Sequence, residues 1–239
     1  VHRLLITGTT AAESEQAVGL CQKYGGKTFC TVGIHPHYSK EFSPEARLTL
    51  TDLLKAPEVL AVGETGLDFN RNFSTPEQQI YAFEQQLELA SEVNLPLFLH
   101  ERDAHSKQVE MLRHFRDHTA GGVAHCFTGS REELYNYLDL DLYIGITGWI
   151  CDERRGTELL ALLKDIPVER LLLETDAPYL LPRDMRPNLR VGETCPVIYR
   201  TSLKKQPRPE MLTRKSYRGR SKRIVNVCSG SIKPGNKRL

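Results

Sequence analysis

The chain has 239 residues, of which 40% are hydrophobic and 26% are charged, a composition typical of a soluble globular protein of one barrel-sized domain. Its apolar runs are too short to span a bilayer and no signal peptide precedes the first strand-like run, so we expect a cytoplasmic protein. The six cysteines form no C-x-x-C pair, which predicts free, mostly buried thiols in a reducing compartment. The sequence opens with Val1 rather than Met, so we expect a fragment or a trimmed product.

Charge is divided unevenly along the chain. Residues 186–239 carry 15 basic and 2 acidic side chains, whereas residues 1–185 carry 17 basic and 28 acidic ones. This split predicts a folded acidic body and a basic tail. Such a tail can attract nucleic acid phosphates, or it can be foreign to the fold, as after a frameshift or a misjoined exon.

Short apolar runs predict seven strands, which alternate with helix-like segments. In chain order the predicted strands are Leu4–Thr7, Phe29–Ile34, Val59–Gly63, Leu95–Leu99, Gly122–Ala124, Leu142–Ile146 and Arg170–Glu174. Runs that are apolar on both faces are typical of parallel sheets. The clearest helix, Glu77–Val93, begins behind Ser74, Thr75 and Pro76, which are suitable capping residues. Repeated β/α units predict either a (β/α)8 TIM-like barrel or an open doubly wound sheet.

Metal-ligand residue types follow four of these strands and favour the barrel. Glu64, His100, His125 and Asp176 each stand just beyond a predicted strand, and in a barrel all such ends meet at one mouth. Taken singly, each could be a turn acid, a cap or a core histidine. Together they form a mixed nitrogen and oxygen donor set that suits Mg²⁺, Mn²⁺ or Zn²⁺.

Five motifs in this order resemble one family. The motifs are Gly33-Ile-His-Pro-His37, Gly63-Glu-Thr-Gly-Leu-Asp68, Phe98-Leu-His-Glu-Arg102, His125-Cys-Phe-Thr-Gly129 and Glu174-Thr-Asp-Ala-Pro-Tyr179. They resemble the TatD family of metal-dependent deoxyribonucleases, and two further stretches, Asp68–Pro76 and Gly145–Gly156, resemble its bacterial TatD branch. The resemblance covers about residues 3–187. It implies an incomplete barrel domain over residues 1–187, followed by a basic, disordered or aberrant tail over residues 188–239.

The resemblance implies a (β/α)8 barrel that hydrolyses phosphodiester bonds in DNA as an exonuclease, from the 3′ end and on single strands. It implies that Glu64, His100, His125 and Asp176 bind a divalent metal ion, with Mg²⁺ expected ahead of Mn²⁺ and Zn²⁺. Glu64 and Asp176 would be the catalytic carboxylates, and Asp176 the base.

The same resemblance implies a substrate-binding set. His35 and His37 would contact the substrate phosphate, although both also fit a structural turn around a proline. Arg154 and Arg155 would hold phosphate through their guanidinium groups, although both equally fit a solvated helix start.

The two ends of the chain depart from the family pattern. The polar motif of the family's first strand is absent, and so is the final covering helix. We therefore expect two free sheet edges, one at Leu4–Thr7 and one at Arg170–Glu174. Two alternatives to a nuclease stay open: a barrel amidohydrolase acting on small amides or esters, and a truncated fragment without function.

Overall fold

Parallel strands joined by helices make up the computed structural model of the chain. It describes residues 3–152, 156–177 and 179, and the backbone of residues 227–228. The strands are β1 (Leu4–Ile6), β2 (Thr28–Val32), β3 (Val59–Asp68), β4 (Leu97–Arg102), β5 (Gly122–Ala124), β6 (Tyr143–Ile146), β7 (Leu171–Leu173) and β8 (Val227–Cys228). All seven predicted strands are therefore present.

The strands follow one another in the sheet in sequence order. The order is β7-β6-β5-β4-β3-β2-β1-β8, and every described pair is parallel. A doubly wound sheet would reverse its order at a switch point, so that alternative is wrong. The seven strands instead curl as a half-barrel with helices between them, which is the α/β class expected.

One of the two expected free edges is paired. Leu5 and Ile6 of β1 pair with Val227 and Cys228 of β8, so the expectation that the first strand lacks a neighbour is wrong. The physical reason is that an exposed strand edge accepts any segment that can satisfy its backbone groups. Among the described residues, β7 pairs with β6 alone, and the sheet is open on that side. Apart from β8, the predicted tail over 188–239 lies outside the described residues, and the division at residue 187 stays a prediction.

Six α-helices occur among the described residues. They are α1 (Ala11–Tyr24), α2 (Pro44–Leu53), α3 (Pro76–Val93), α4 (His105–Phe115), α5 (Arg131–Asp139) and α6 (Gly156–Leu162). The helix predicted over Glu77–Val93 is α3, and the Thr75 hydroxyl accepts from the Gln78 N–H while the Gln78 side chain accepts from the Thr75 N–H. This reciprocal capping fixes where α3 begins.

Strand β3 is longer than the sequence predicted, which changes the position of Glu64. The predicted strand ends at Gly63, but β3 runs on to Asp68 through a register shift against β4 between Gly63 and Thr65. Gly63 has a φ of +142°, and a Cβ there would overlap the Phe98 carbonyl. Glycine therefore permits a bulge rather than a strand end, and Glu64 lies within the strand.

The core lies between the sheet and the helices that cover it. Leu50, Phe83, Leu87 and Tyr137 are among its largest buried side chains. The buried Gln86 amide also accepts from the Ile34 N–H at 2.7 Å and donates to the Ile34 carbonyl at 3.0 Å, so α3 fixes the segment that leaves β2. No helix among the described residues is long and apolar enough to cross a membrane.

The described cysteines are free thiols. Cys21, Cys30 and Cys151 are buried and Cys126 is partly exposed, as predicted for these four positions. Burial raises the pKa of Cys30 above its ordinary value.

Candidate active site

Two of the predicted ligands, Glu64 and His100, meet between the neighbouring strands β3 and β4, in the C-terminal half of each. The His100 Nδ1 atom lies 3.2 Å from Glu64 Oε1, and His35 Nε2 lies 3.6 Å from the same oxygen. These three side chains form a group whose ligand atoms all lie within 4.8 Å of one another, close enough to share one metal ion. Glu64 is 5% exposed, so its charge is removed from bulk water.

The other two predicted ligands, His125 and Asp176, meet beyond β5 and β7. The His125 Nε2 atom faces Asp176 Oδ1 at 3.7 Å, while Nδ1–H donates to Glu174 Oε2 at 2.9 Å. Glu174 Oε2 also accepts from the Cys126 N–H at 3.0 Å. Asp176 and Cys126 both have positive φ, of 50° and 48°, a conformation that non-glycine residues adopt at a cost and often at functional sites.

The two pairs influence each other electrostatically. Burial opposes protonation of His125, but Glu174, Glu64 and Asp176 together raise its pKa to about 10. Burial likewise opposes protonation of His100, yet hydrogen bonds to Asp68 and Glu64 raise its pKa to about 9. Carboxylate charge therefore exceeds what the histidines compensate, which is the environment that stabilises a bound cation.

In the same cluster, the pKa values of Glu64 and His35 are lowered, whereas those of His100 and His125 are raised. Burial alone would raise the pKa of Glu64, but His35 and His100 hold it below the ordinary range. Burial and the neighbouring His100 lower the pKa of His35 to about 3. Glu64 is therefore an anion and His35 a neutral imidazole at neutral pH.

Asp68, which was not predicted as a site residue from the sequence, joins two of the histidines. Its Oδ2 atom accepts from His37 Nε2–H at 2.8 Å and lies 3.3 Å from His100 Nε2. Its Oδ1 atom accepts from the Asn70 and Arg71 N–H groups at 3.1 and 2.9 Å. Burial would raise the pKa of Asp68, but hydrogen bonds from His100 and His37 hold it below the usual range.

Glu174 was missed in the same way. Its carboxylate is 1% exposed and lies against the backbone of Gly145, where any side chain would overlap it. A charge that is fully buried needs a partner, and His125 supplies it. Two signals for Glu174 were available in the sequence. It is a charged residue at the end of an apolar run, and the neighbouring strand β6 contains Gly145.

Two of the predicted site residues are not described, and a second candidate metal group lies apart from this cluster. Arg154 and Arg155 lie outside the described residues. A second group that could hold a metal, formed by Glu101, His105 and Glu133, lies between β4, α4 and α5. Its Glu101 accepts from Tyr137 OH at 3.2 Å and from the Ala104 N–H at 3.1 Å, so these atoms already take part in a structural network.

Comparison with known proteins decides the family. The model of the family described as TatD related DNase matches residues 1–212. The chain belongs to this family. Membership confirms the resemblance noted in the sequence and, with it, the prediction of a metal-dependent hydrolase of the nuclease class.

Relatives and solved structures of the TatD family agree with this assignment. The chain is 59% identical over 194 residues to the 3′-5′ ssDNA/RNA exonuclease TatD of Erwinia billingiae, covering 80% of this chain and 74% of the relative. It is 54% identical over 187 residues to the protein of that name from Klebsiella pneumoniae, covering 78% and 71%.

Among solved structures, the TatD homologue YJJV of Escherichia coli superposes with a TM-score of 0.74 at 26% identity, covering 87% of this chain and 80% of that one. A TatD family hydrolase from Entamoeba histolytica gives a TM-score of 0.71 at 28% identity, covering 82% and 70%. The barrel-like fold is thereby confirmed. The relatives favour a nuclease over the amidohydrolase alternative.

Proposed function

We propose that the chain is a metal-dependent 3′–5′ exonuclease of single-stranded DNA whose metal ion is bound by Glu64, His100, His125 and Asp176. One observation carries the proposal. Each histidine of this set turns one ring nitrogen toward a carboxylate of the set and the other toward a carboxylate outside it, Asp68 or Glu174. A metal-binding histidine held by an outer carboxylate is a recurrent arrangement in metal sites.

The donor set fits a divalent ion. The anionic Glu64 and the raised pKa values of His100 and His125 indicate an excess of negative charge. Mg²⁺ prefers oxygen ligands, so a set of two carboxylates and two imidazoles selects it less strongly than an all-oxygen site and also admits Mn²⁺ and Zn²⁺. We expect Mg²⁺ and regard Mn²⁺ and Zn²⁺ as the alternatives.

The two histidines would bind the ion through different nitrogens. Asp68 accepts from His100 Nε2, which leaves Nδ1 directed at Glu64, whereas Glu174 accepts from His125 Nδ1, which leaves Nε2 directed at Asp176. A carboxylate that accepts one N–H fixes the tautomer, so the lone pair on the other nitrogen is free to bind metal.

Asp176 is proposed as the base. A divalent ion supplies a more acidic bound water and charge compensation for the phosphoryl oxygens. Asp176 faces His125 from a strained backbone conformation and is partly exposed, so it can accept a proton from a water and release it to solvent. The buried Glu64 lacks that route and is proposed to hold the ion.

The substrate phosphate is proposed to lie against His35 and His37. His35 stays neutral, since its pKa is lowered to about 3, and would act as a hydrogen-bond donor. Their ring centroids lie 4.4 Å apart, so both can reach one phosphate group. Arg154 and Arg155 remain proposed phosphate ligands on the strength of the sequence.

A labelled oligonucleotide tests this function. Single-stranded DNA carrying a dye at its 5′ end should shorten in single-nucleotide steps when Mg²⁺ or Mn²⁺ is added, and should stay intact with a chelator. His125→Ala should abolish the reaction. Cleavage that persists in the chelator or in His125→Ala would contradict the proposal, and cleavage of small amides alone would favour the amidohydrolase.

The compartment is also a proposal. The four described cysteines are free, and free thiols persist in reducing compartments. We therefore propose that the protein acts in the cytoplasm.

A further inference from the structure

Phe73 is an exposed aromatic side chain beside the candidate active site. It is 57% exposed, yet its ring lies 4.8 Å from the ring of His37, centroid to centroid, at 84°. Nine large apolar side chains are exposed among the described residues, and they include Tyr38, Phe73 and Tyr135. Among these, Phe73 and Tyr38 are the two whose rings contact histidines of the site, Tyr38 lying 6.5 Å from His35.

The segment that carries Phe73 is held on both sides. Before it, the Arg71 N–H donates to Asp68 Oδ1 at 2.9 Å and the Asn72 side chain donates to the Phe69 carbonyl at 2.8 Å. After it, Ser74 Oγ donates to the His37 carbonyl at 3.1 Å and accepts from the Lys40 N–H at 3.0 Å. The ring is therefore presented to solvent by a fixed backbone, which lowers the entropic cost of binding a ligand.

Phe73 is connected to the proposed metal-binding residue His100 through His37 and Asp68. His37 donates to Asp68, and Asp68 in turn lies 3.3 Å from His100 Nε2. The ring centroids of His37 and His100 are 6.2 Å apart. A phosphate held at His37 would thus place the sugar and base of its nucleotide within reach of the Phe73 ring.

We propose that Phe73 forms a base-stacking subsite that holds a nucleobase near the 3′ end of a single-stranded substrate. The inference rests on the proposed nuclease function and adds to it the group that binds the base. Every base has a π face, so stacking on an aromatic ring binds single strands with little dependence on sequence. A duplex keeps its bases stacked on each other, so this subsite favours single strands.

A set of oligonucleotides separates stacking from all other effects of Phe73. The set consists of one single-stranded DNA with all bases and three matched strands, each with an abasic residue at one of the last three positions. Phe73→Ala should raise KM for the complete strand about five- to 150-fold with little change in kcat. It should have no effect on the strand whose missing base is the stacked one, and Phe73→Trp should restore wild-type KM.

Two controls keep the result interpretable. Tyr135→Ala removes an aromatic ring of similar exposure (46%) on α5 and should leave KM unchanged. Fluorescence anisotropy in chelator measures binding of the same strands by metal-free wild type and Phe73→Ala. If the wild type cleaves no strand with any metal, the proposed function fails, whereas the anisotropy comparison still decides the role of Phe73. Equal losses on complete and abasic strands, or no loss on either, would overturn the subsite.

Discussion

Replacing Glu174 by glutamine isolates the contribution of the carboxylate that holds His125. Glutamine keeps the size of the side chain and an oxygen for the Cys126 N–H, but removes the charge that His125 Nδ1–H donates to at 2.9 Å. Among the described atoms, Glu174 Oε1 is buried without a hydrogen-bond partner. An amide N–H group placed there would lack an acceptor.

The expected loss of metal affinity is about tenfold to a hundredfold. That is the usual effect of removing an outer carboxylate from a metal-bound histidine, and it corresponds to about 1.4 to 2.7 kcal/mol. The pKa of His125, raised to about 10 largely by Glu174 against the effect of burial, should fall in the same variant.

Calorimetric titration with Mn²⁺ measures the affinity, with Glu101→Gln as the matched control. Glu101 on β4 forms a similar pair with His105 on α4, at 3.3 Å. Glu174→Gln should weaken binding and Glu101→Gln should leave it unchanged. The reverse result would place the metal in the group of Glu101, His105 and Glu133, and unchanged binding in both variants would refute the role of Glu174.

Three further predictions concern the same site. Asp176→Asn should lower kcat about a hundredfold or more because it removes the base, and steady-state kinetics with a loss under tenfold would contradict that role. His35→Ala combined with His37→Ala should weaken binding of single-stranded DNA, measured by anisotropy, and an inactive double variant that binds normally would exclude phosphate contact. The pKa values of His100 and His125 are raised to about 9 and 10, so a metal ion must displace their protons. Mn²⁺ affinity should therefore rise between pH 6 and 9 by about tenfold per pH unit for each proton displaced. Affinity independent of pH would show that neither histidine binds the metal.

The sequence located the strands well because most of their residues are apolar on both faces of the sheet. Short apolar runs that end in polar residues located all seven, and β5 has the predicted bounds Gly122–Ala124. The predicted end of β3 was wrong. Glycine often marks the end of a strand, but Gly63 and Gly66 adopt positive φ within β3, where the register shifts against β4. The pairing of β1 with β8 depends on contacts between residues more than 200 positions apart, which periodicity does not reveal.

Only part of the candidate site was predicted from the sequence, because spacing along the chain locates strand ends but not side-chain contacts. Residues near the ends of strands converge at one mouth in any barrel, so spacing predicted that Glu64, His100, His125 and Asp176 would gather, but not which of them would pair. Asp68 and Glu174 were visible in the sequence as members of motifs, but their function depends on which ring nitrogen they face. That choice is made by side-chain rotamers and by the backbone of Gly145, which spacing does not encode.

We expect one metal ion to bind among Glu64, His100, His125 and Asp176. Anomalous scattering from crystals of the protein soaked in Mn²⁺ tests it directly. The expected result is an anomalous peak that contacts His100 through Nδ1 and His125 through Nε2. A peak bound instead by Glu101, His105 and Glu133, or full occupancy with His125 still remote from the metal, would contradict it.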